Sequence, residues 1–401
     1  MNLRIKSITE FSIFQKKGYV YGLMAAVVLA AIFPKIFLNH NNYLIYKNVF
    51  WHVVQKQALY IEYPTQYFDR NHYGPIFSFV IGPFALLPDT VGMILWSLCT
   101  FSLYFITIHQ LPLEYRLRNI ILWLCFNEYL ITAQSFQVNP LMICIIVLSY
   151  TFIRDKKEFW AAALIMLGTF IKLYGIVGLA FFFFSKRKPQ FIMSLAFWAV
   201  VYFVLPMLIS SPEYIVDRYV EWYERLLEKN QTNAVLGSYQ DFSVMGVARR
   251  LVQDPSISNL PFLAVGALLF GLPYLRISMF KDVKFQLLLL ASVLIFTVIF
   301  SSGSESPTFI IAFVGVSIWF VLQDQPRKKW VNGLMIFAFI LTSLSHTDLC
   351  PKYILEHYIR EYSLKAVPCI AIWLVICWQL LTIKPNEIKT NGAVQMPAID
   401  Q

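Results

Sequence analysis

The chain has 401 residues, of which 58% are hydrophobic and only 14% are charged. Soluble domains carry about 25% charged residues, so this composition excludes an ordinary soluble protein and indicates an integral membrane protein with little mass outside the bilayer. The formal net charge of +10 would suit a nucleic-acid partner, but the placement of the basic residues along the chain excludes that class, as the predicted topology shows. Long unbroken apolar runs predict helices rather than a barrel, whose strands would alternate.

Twelve apolar segments predict membrane-spanning helices, several of them short. Together with their connections they form one predicted polytopic domain over residues 1–383. Residues 384–401 form a predicted disordered tail in the cytoplasm. The predicted spans are 19–38, 91–109, 117–134, 139–153, 158–172, 174–185, 190–209, 259–276, 284–301, 307–322, 331–346 and 365–383.

The basic residues between these spans predict the orientation of the chain. With the N-terminus in the cytoplasm, the basic clusters at 154–157, 186–188 and 327–329 all lie on the cytoplasmic side, as the positive-inside rule requires. The excess positive charge then indicates topology and contact with anionic membrane lipids. We expect a multi-pass protein of the plasma (inner) membrane, with both termini in the cytoplasm and an active site that faces the periplasm or the extracellular space.

Three longer connections lie on the predicted outer side, at 39–90, 210–258 and 347–364. The first contains a short apolar run, 74–87, which is too short to cross a bilayer and is expected to lie at the surface or to re-enter the membrane. The second contains Tyr214 to Glu228, where apolar residues recur at helical spacing. This spacing predicts an amphipathic helix on the outer surface.

Two outer carboxylates are candidates for chemistry. Asp69 lies with His72 in a polar stretch before the short apolar run. A carboxylate at a partly desolvated interface is expected to have a raised pKa and to act as a general base toward a hydroxyl; a solvated Asp that caps the next helix is the alternative. Glu305 lies in a tight outer turn between two spans, where helix capping is again the alternative.

Cationic and amide side chains also lie on the predicted outer side. Lys172, at the outer end of a span, is suited to a lipid phosphate, unless it only reaches toward the surface. Arg249 or Arg250 would clamp a phosphate with two hydrogen bonds, or would be solvated on an interfacial helix. Gln137 and Asn139 have amides suited to sugar hydroxyls, although Asn139 also fits a helix N-cap.

Several common types of site have no signature in the sequence. It contains no P-loop, no Gly-rich dinucleotide turn and no His/Cys cluster at metal-ligand spacing. The six cysteines show no spacing typical of a metal site or a disulfide. An Asp-x-Asp pair for a metal and a nucleotide sugar is also missing. We therefore expect no metal and no cofactor, and a sugar donor that is not a nucleotide.

Five short motifs follow one another along the predicted outer face. They are Asn42 to Tyr46 with Leu59, Tyr60 and Tyr73 to Pro75; Phe136 to Asn139; Lys172 and Leu173; Tyr239 to Arg249; and Ser306 and Pro307. In this order they resemble five motifs of glycosyltransferase family 87. These are its first-loop motif, Gly-Gln-x-Asn, Lys-Pro, Asn-Gln-Ser…Arg and Ser-Pro. The resemblance covers most of residues 20–320.

This resemblance implies an all-α polytopic membrane protein: a GT-C-type helical bundle of about twelve transmembrane helices, with interfacial helices in the outer loops. It implies an inverting, metal-independent hexosyltransferase. The enzyme would move a hexose, with mannose as the expected sugar, from a polyprenyl-phosphate donor to a lipid or glycan acceptor on the outer face. Lys172, Arg249 and Arg250 would hold the donor phosphate. The residues expected to bind sugar or acceptor are Asn42, Tyr46, His72, Tyr73, Gln137, Asn139 and Gln240.

One departure concerns the catalytic carboxylate. The family has an Asp where this chain has Asn42, and an amide cannot take a proton from a hydroxyl. Either Asp69 or Glu305 supplies the base, or the chain is an inactive relative that binds a lipid phosphate. A transporter or flippase of lipid-linked sugars is the remaining alternative. Paired intramembrane charges and internal repeats would favour this alternative. The sequence shows no repeat, and Glu128, an acid well inside a predicted span, has no obvious partner.

Overall fold

The computed structural model describes residues 16–38, 40–237 and 240–384, and within them it contains helices and connecting turns without a strand. This confirms the all-α class. The α-helices, numbered in chain order, are α1 Lys17–Leu38, α2 Asn41–Gln55, α3 Phe77–Ala85, α4 Asp89–His109, α5 Tyr115–Gln134, α6 Asn139–Arg154, α7 Glu158–Ile171, α8 Lys188–Val204, α9 Pro212–Asn233, α10 Val244–Val252, α11 Leu260–Gly271, α12 Val283–Ile299, α13 Phe309–Val321, α14 Lys329–Ala338, α15 Lys352–Ile354 and α16 Val367–Thr382. Segments of 3-10 or π-helix extend several of them, at Leu173–Phe184, Leu205–Ile209, Leu272–Leu275, Phe339–Leu344 and Leu355–Arg360.

Each predicted span corresponds to a helix, with ends that differ from the prediction by at most two residues. Seven of these helices are apolar but shorter than 18 residues. The helix α5 has a full length of 20 residues, but Arg116, Arg118 and Glu128 reduce its hydropathy. Four helical segments are long and apolar enough to cross a membrane: Lys17–Leu38, Asp89–His109, Lys188–Ile209 and Leu364–Thr382.

The helices α12 and α13 form the centre of the bundle. Nearly all of their side chains are buried, including Leu290 and Trp319. A helix surrounded by other helices can be apolar on every side, as these two are. By contrast, α8 buries only Phe191 and Ser194, so its apolar surface is available to lipid.

The outer connections contain the predicted interfacial helices. The helix α3 has nine residues, about 13 Å at 1.5 Å per residue, which is far short of a bilayer. The amphipathic prediction is confirmed by α9, which begins at Pro212 and ends at Asn233. Its Ile215 and Trp222 are buried in a cluster with Val53 and Leu59, so α9 lies against the first outer connection.

The expectation that Glu128 has no partner is wrong. The Lys365 ammonium donates a hydrogen bond to Glu128 Oε1 at 3.0 Å, and both side chains are completely buried. The two residues are 237 positions apart, so no local sequence pattern could have paired them.

Some predictions concern parts of the chain outside the described residues. These are the tail from 385 onward, the N-terminal connection before Lys16, Asn39 of the first outer connection, and Tyr239 of the 239–249 motif. The orientation in the membrane and the single-domain boundary also stay predictions.

Candidate functional site

The first outer connection, the α5–α6 turn, the end of α7 and the turn before α13 meet at one place. The Gly74 N–H donates to the Ile171 carbonyl at 3.1 Å, which joins the first connection to the end of α7. The Gln137 Nε2 donates to Glu305 Oε1 at 3.2 Å, which joins the α5–α6 turn to the turn before α13. Residues from four of the five sequence motifs therefore lie close together, although they are far apart in the chain.

Glu305 is the carboxylate at this meeting point. It forms a capping box with Thr308 at the start of the helical turn that leads into α13. The predicted helix-capping role of Glu305 is therefore confirmed. Its carboxylate also faces the site. Burial raises the pKa of Glu305, and the positive charges of Lys172 and Lys229 oppose this increase. A carboxylate with a raised pKa is suited to general-base work near neutral pH.

Two buried tyrosines form a wall beside Glu305. The hydroxyls of Tyr46 and Tyr73 are 3.1 Å apart and share a hydrogen bond. The Tyr73 ring stacks on Phe77, with 4.8 Å between ring centroids, and the Tyr73 carbonyl accepts a hydrogen bond from Tyr60. Burial raises the pKa of both hydroxyls, so they stay neutral and can bind polar groups without contributing charge.

Lys172 is a cation that acts electrostatically on Tyr73. It follows the last residue of α7 in an extended conformation, and its Nζ lies 4.6 Å from the centroid of the Tyr174 ring. The Tyr174 hydroxyl shares a hydrogen bond with Ser301 at 2.9 Å. Among the residues that the structure describes, Lys172 has no ion-pair partner within 4.0 Å. Its charge is therefore available to an anionic ligand.

Gly74 permits the close approach between the first connection and α7. A Cβ at this position would lie 2.0 Å from the Phe170 carbonyl oxygen. We expect Gly74→Ala to lower the free energy of unfolding by about 1–3 kcal/mol and to reduce activity, because the clash pushes Tyr73 away from Lys172. Thermal unfolding and turnover would be compared with Gly333→Ala, where nothing lies within 4 Å of the added Cβ. Equal effects of both substitutions would contradict this account.

Asp69 lies at the rim of the site. Its side chain is about half exposed, and one of its oxygens is 3.8 Å from His72 Nε2. The neighbouring His72 side chain holds the pKa of Asp69 below its usual range, so the expected rise in its pKa is wrong. His72 itself is held through its backbone carbonyl, which accepts a hydrogen bond from the Trp222 indole at 2.9 Å. Burial lowers the pKa of His72.

Two of the expected sugar-binding amides hold the backbone of the site. Asn42 donates to the Ser135 carbonyl at 2.8 Å, which ties α2 to the α5–α6 turn. The fully buried Asn139 donates to the Pro307 carbonyl at 3.0 Å. The N-cap alternative for Asn139 is wrong, because Val138 occupies that position and Asn139 is the first residue of α6.

Arg249 and Arg250 are buried and engaged within the protein. Arg249 pairs with Asp241 at 2.5 Å and donates to the Ile257 carbonyl at 3.1 Å. Arg250 donates to the backbone carbonyls of Asp241 and Gln240, at 3.0 and 2.8 Å, and to the Ser363 hydroxyl. These bonds fix α10 against the preceding segment and the last outer connection. Phosphate binding by either arginine, and sugar binding by the Gln240 side chain, stay predictions.

Removal of the Arg249 guanidinium should therefore affect stability more than donor binding. Arg249→Met leaves Asp241 buried without its partner, which we expect to cost about 3–5 kcal/mol of folding free energy. Lys352→Met removes an exposed ion pair with Glu356 and should cost less than about 1 kcal/mol. The melting temperature and the KM for the donor would be measured on folded protein. A large rise in donor KM, with little loss of stability, would restore the phosphate-binding role.

Sequence reasoning missed one cation of the site. Lys229, on α9, acts electrostatically on Asp69, His72 and Glu305. It stands among alternating charges on an amphipathic helix, where no motif distinguishes it. The only available signal was position: Lys229 is one turn beyond Arg225, on the side of α9 that carries the buried residues.

A cavity of about 600 Å³ opens beside Tyr174. Its walls are mostly apolar and come from the segment after α7 and from α11 and α12. The lining includes the apolar residues Leu173, Val177, Leu263, Phe296 and Phe300 and the polar residue Ser301. The Tyr174 hydroxyl that bonds Ser301 links this cavity to Lys172. The site thus combines a cation, a carboxylate and an apolar cavity.

The chain is similar to a known protein family and to a solved structure. The model of glycosyltransferase family 87 matches residues 71–302, more than half of the chain. No curated protein matches. The crystal structure of ArnT from Cupriavidus metallidurans bound to undecaprenyl phosphate is similar over 91% of this chain and 77% of that chain, with 14% identity and a TM-score of 0.36. The family match confirms the resemblance to the family over residues 71–302 and, with the all-helical structure, the expected GT-C-type fold.

Proposed function

The chain belongs to glycosyltransferase family 87, and from this membership we propose that it is a metal-independent, inverting hexosyltransferase. It transfers a hexose, with mannose as the expected sugar, from a polyprenyl-phosphate donor to a lipid or glycan acceptor. The observation that carries the proposal is the position of Glu305. Its partly buried carboxylate accepts a hydrogen bond from Gln137 and lies within the electrostatic influence of Lys172, whose neighbour Tyr174 lines an apolar cavity.

The donor fits this site in two parts. The cavity beside Tyr174 has the apolar walls that a polyprenyl chain requires. Lys172 contacts the ring of Tyr174, which lines this cavity, and has no ion-pair partner among the described residues. A lipid phosphate would supply the missing negative charge. Lys229 adds a second positive charge that acts on Glu305. The neutral hydroxyls of Tyr46 and Tyr73 are then available to the sugar.

Glu305 provides the base that Asn42 cannot provide. Its carboxylate accepts the proton of the acceptor hydroxyl, and the acceptor oxygen attacks the anomeric carbon opposite the phosphate. The bond between the anomeric carbon and the phosphate oxygen breaks as the glycosidic bond forms. Lys172 stabilises the negative charge that develops on the departing polyprenyl phosphate. One such displacement inverts the anomeric configuration.

A lipid phosphate is already a good leaving group when cations stabilise it, and for this reason we propose chemistry without a metal or cofactor. Within the described ranges, no group of three or more His, Cys, Asp or Glu side chains is placed to hold a metal ion. The proposed location is the plasma (inner) membrane, with the site on its outer face. The site residues lie in connections, or at the ends of spans, that the positive-inside rule assigns to that face.

The test is release of free polyprenyl phosphate by the purified full-length protein in lipid nanodiscs. The donors would be a panel of polyprenyl-phosphate hexoses, with a membrane-lipid extract as acceptor. Release that depends on the acceptor and on one sugar would support the transferase and identify its donor. Tight donor binding without release from any donor would instead indicate the inactive relative.

One observation favours the transporter alternative, since the Lys365–Glu128 pair supplies paired charges within the membrane. The same purified protein, reconstituted in sealed vesicles, distinguishes the two functions. A transporter moves the lipid-linked sugar across the bilayer with its glycosidic bond intact, whereas a transferase cleaves that bond at one face.

A further inference from the structure

The buried pair between Lys365 and Glu128 has a second contact that points toward the site. The Lys365 Nζ lies 3.0 Å from Glu128 Oε1 and 3.0 Å from Ser306 Oγ, and it lies 5.4 Å from the centroid of the Phe309 ring. The ammonium is therefore surrounded on three sides by groups that fix its position. Ser306 is the residue immediately after Glu305.

Folding stability alone does not account for this buried ion pair. Charged side chains within a membrane protein's interior are costly and rare, and a buried ion pair often contributes no more than well-packed apolar residues would. The second oxygen of Glu128, Oε2, is buried without a hydrogen-bond partner in the part of the chain that the structure describes, which adds to the cost. A pair of this kind points to a role other than stabilisation.

The other contacts of the same turn show what that role is. The Pro307 carbonyl accepts hydrogen bonds from Thr132 on α5 and Asn139 on α6, at 2.6 and 3.0 Å. The Ser304 carbonyl accepts one from the Phe242 N–H at 3.0 Å. These contacts hold the backbone on both sides of Glu305. The Lys365 ammonium holds the side chain of Ser306, and it is the only one of these groups that carries a charge.

We infer that Lys365, itself oriented by Glu128, is a positioning residue that fixes the direction of the Glu305 carboxylate through Ser306. Lys365 does not contact the substrate site and takes no part in proton transfer. Its importance for catalysis rests on the proposed function, whereas its effect on the environment of Glu305 does not. A displaced turn would move the carboxylate away from Gln137 and admit water to it.

The test uses Ser306→Ala in the full-length protein, because this substitution removes the link to the turn and leaves the Lys365–Glu128 pair in place. Ser306→Thr retains the hydroxyl and serves as the conservative variant. Lys365→Met removes the ammonium. The matched control is Lys284→Met, which breaks an ion pair with Asp324 in another part of the chain.

Two quantities would be measured: kcat and KM for transfer, and the pH at which Glu305 reacts half-maximally with a carbodiimide, followed by mass spectrometry. We expect Ser306→Ala and Lys365→Met to lower kcat roughly tenfold or more with KM within about twofold. Both should move the labelling midpoint of Glu305 down toward that of an ordinary carboxyl, because water enters the loosened turn. Ser306→Thr and Lys284→Met should retain the wild-type midpoint.

An unchanged labelling midpoint in Ser306→Ala would overturn the inference, whatever the activity. Labelling requires no donor, so it decides the question even if no sugar is transferred and the proposed function fails. If Lys365→Met does not fold, Ser306→Ala still carries the test, since it keeps the buried charges paired.

Discussion

Glu305→Gln is expected to lower kcat for sugar transfer by about 10²–10⁴-fold, the usual contribution of a general base. Gln has the same shape as Glu and can still accept the hydrogen bond from Gln137, so the fold and the donor affinity should change little. What is lost is the ability to take a proton from the acceptor hydroxyl. The measurement is the initial rate of polyprenyl phosphate release at saturating donor, with donor affinity determined separately by titration.

Asp69→Asn is the matched control, because it makes the same chemical change at the other candidate carboxylate. Asp69 is half exposed and its pKa lies below its usual range, which makes it a weak base at neutral pH. We therefore expect its amide variant to retain activity within about threefold. A large loss in Asp69→Asn, with activity preserved in Glu305→Gln, would place the base at Asp69 and contradict the mechanism.

The membrane spans could be predicted from the sequence because hydropathy is a local property. Short apolar runs such as the one at 174–185 were recognised even though that segment is a 3-10 helix, Leu173–Phe184. Helix α9 was recognised for a similar reason, since its apolar residues recur at 3.6-residue spacing. Both predictions depend on neighbouring residues and not on distant contacts.

The site could be predicted only in part. The motifs identified the connections that meet there, but they could not separate Glu305 from Asp69, because the pKa of each depends on burial and on charges from other elements. The roles of the arginines were hidden for the same reason. Arg249 looks like a solvent-facing cation in the sequence, yet Asp241 and the Ile257 carbonyl enclose it.

Buried pairs between distant elements were the least accessible to sequence reasoning. Glu128 and Lys365 each stand alone within their segments, and only the packing of α5 against the start of the last span brings them together. The sequence did show that an acid within a span needs an explanation. It could not show that the explanation involves the turn that carries Glu305.

Lys172→Met is expected to lower kcat/KM by about 10²–10³-fold, the typical cost of losing one group that stabilises developing charge. Met retains much of the length and apolar volume of the Lys side chain, so the contact with Tyr174 should survive while the charge is lost. The measurement is the initial rate over a range of donor concentrations. A comparable loss in Arg249→Met protein that remains fully folded would mean that the phosphate is held at α10 instead.

The same substitution should change the pH dependence of transfer in a defined direction. Glu305 acts as a base only when it is deprotonated, and burial raises its pKa above the ordinary value of 4.5. The rate should therefore fall as the pH decreases through this raised pKa. Lys172 and Lys229 lower the pKa of Glu305, whereas Asp69 raises it.

Loss of the Lys172 charge should accordingly shift the acidic limb of the pH–rate profile to higher pH, and Lys229→Met should shift it in the same direction by less. Asp69→Asn should shift it to lower pH. If Asp69 were the base, Asp69→Asn would remove the acidic limb or the activity itself and would not displace it. Opposite shifts on removal of a positive and of a negative charge would thus identify Glu305 as the titrating group. Among the described carboxylates, it is the one on which the charges of Lys172, Lys229 and Asp69 act together.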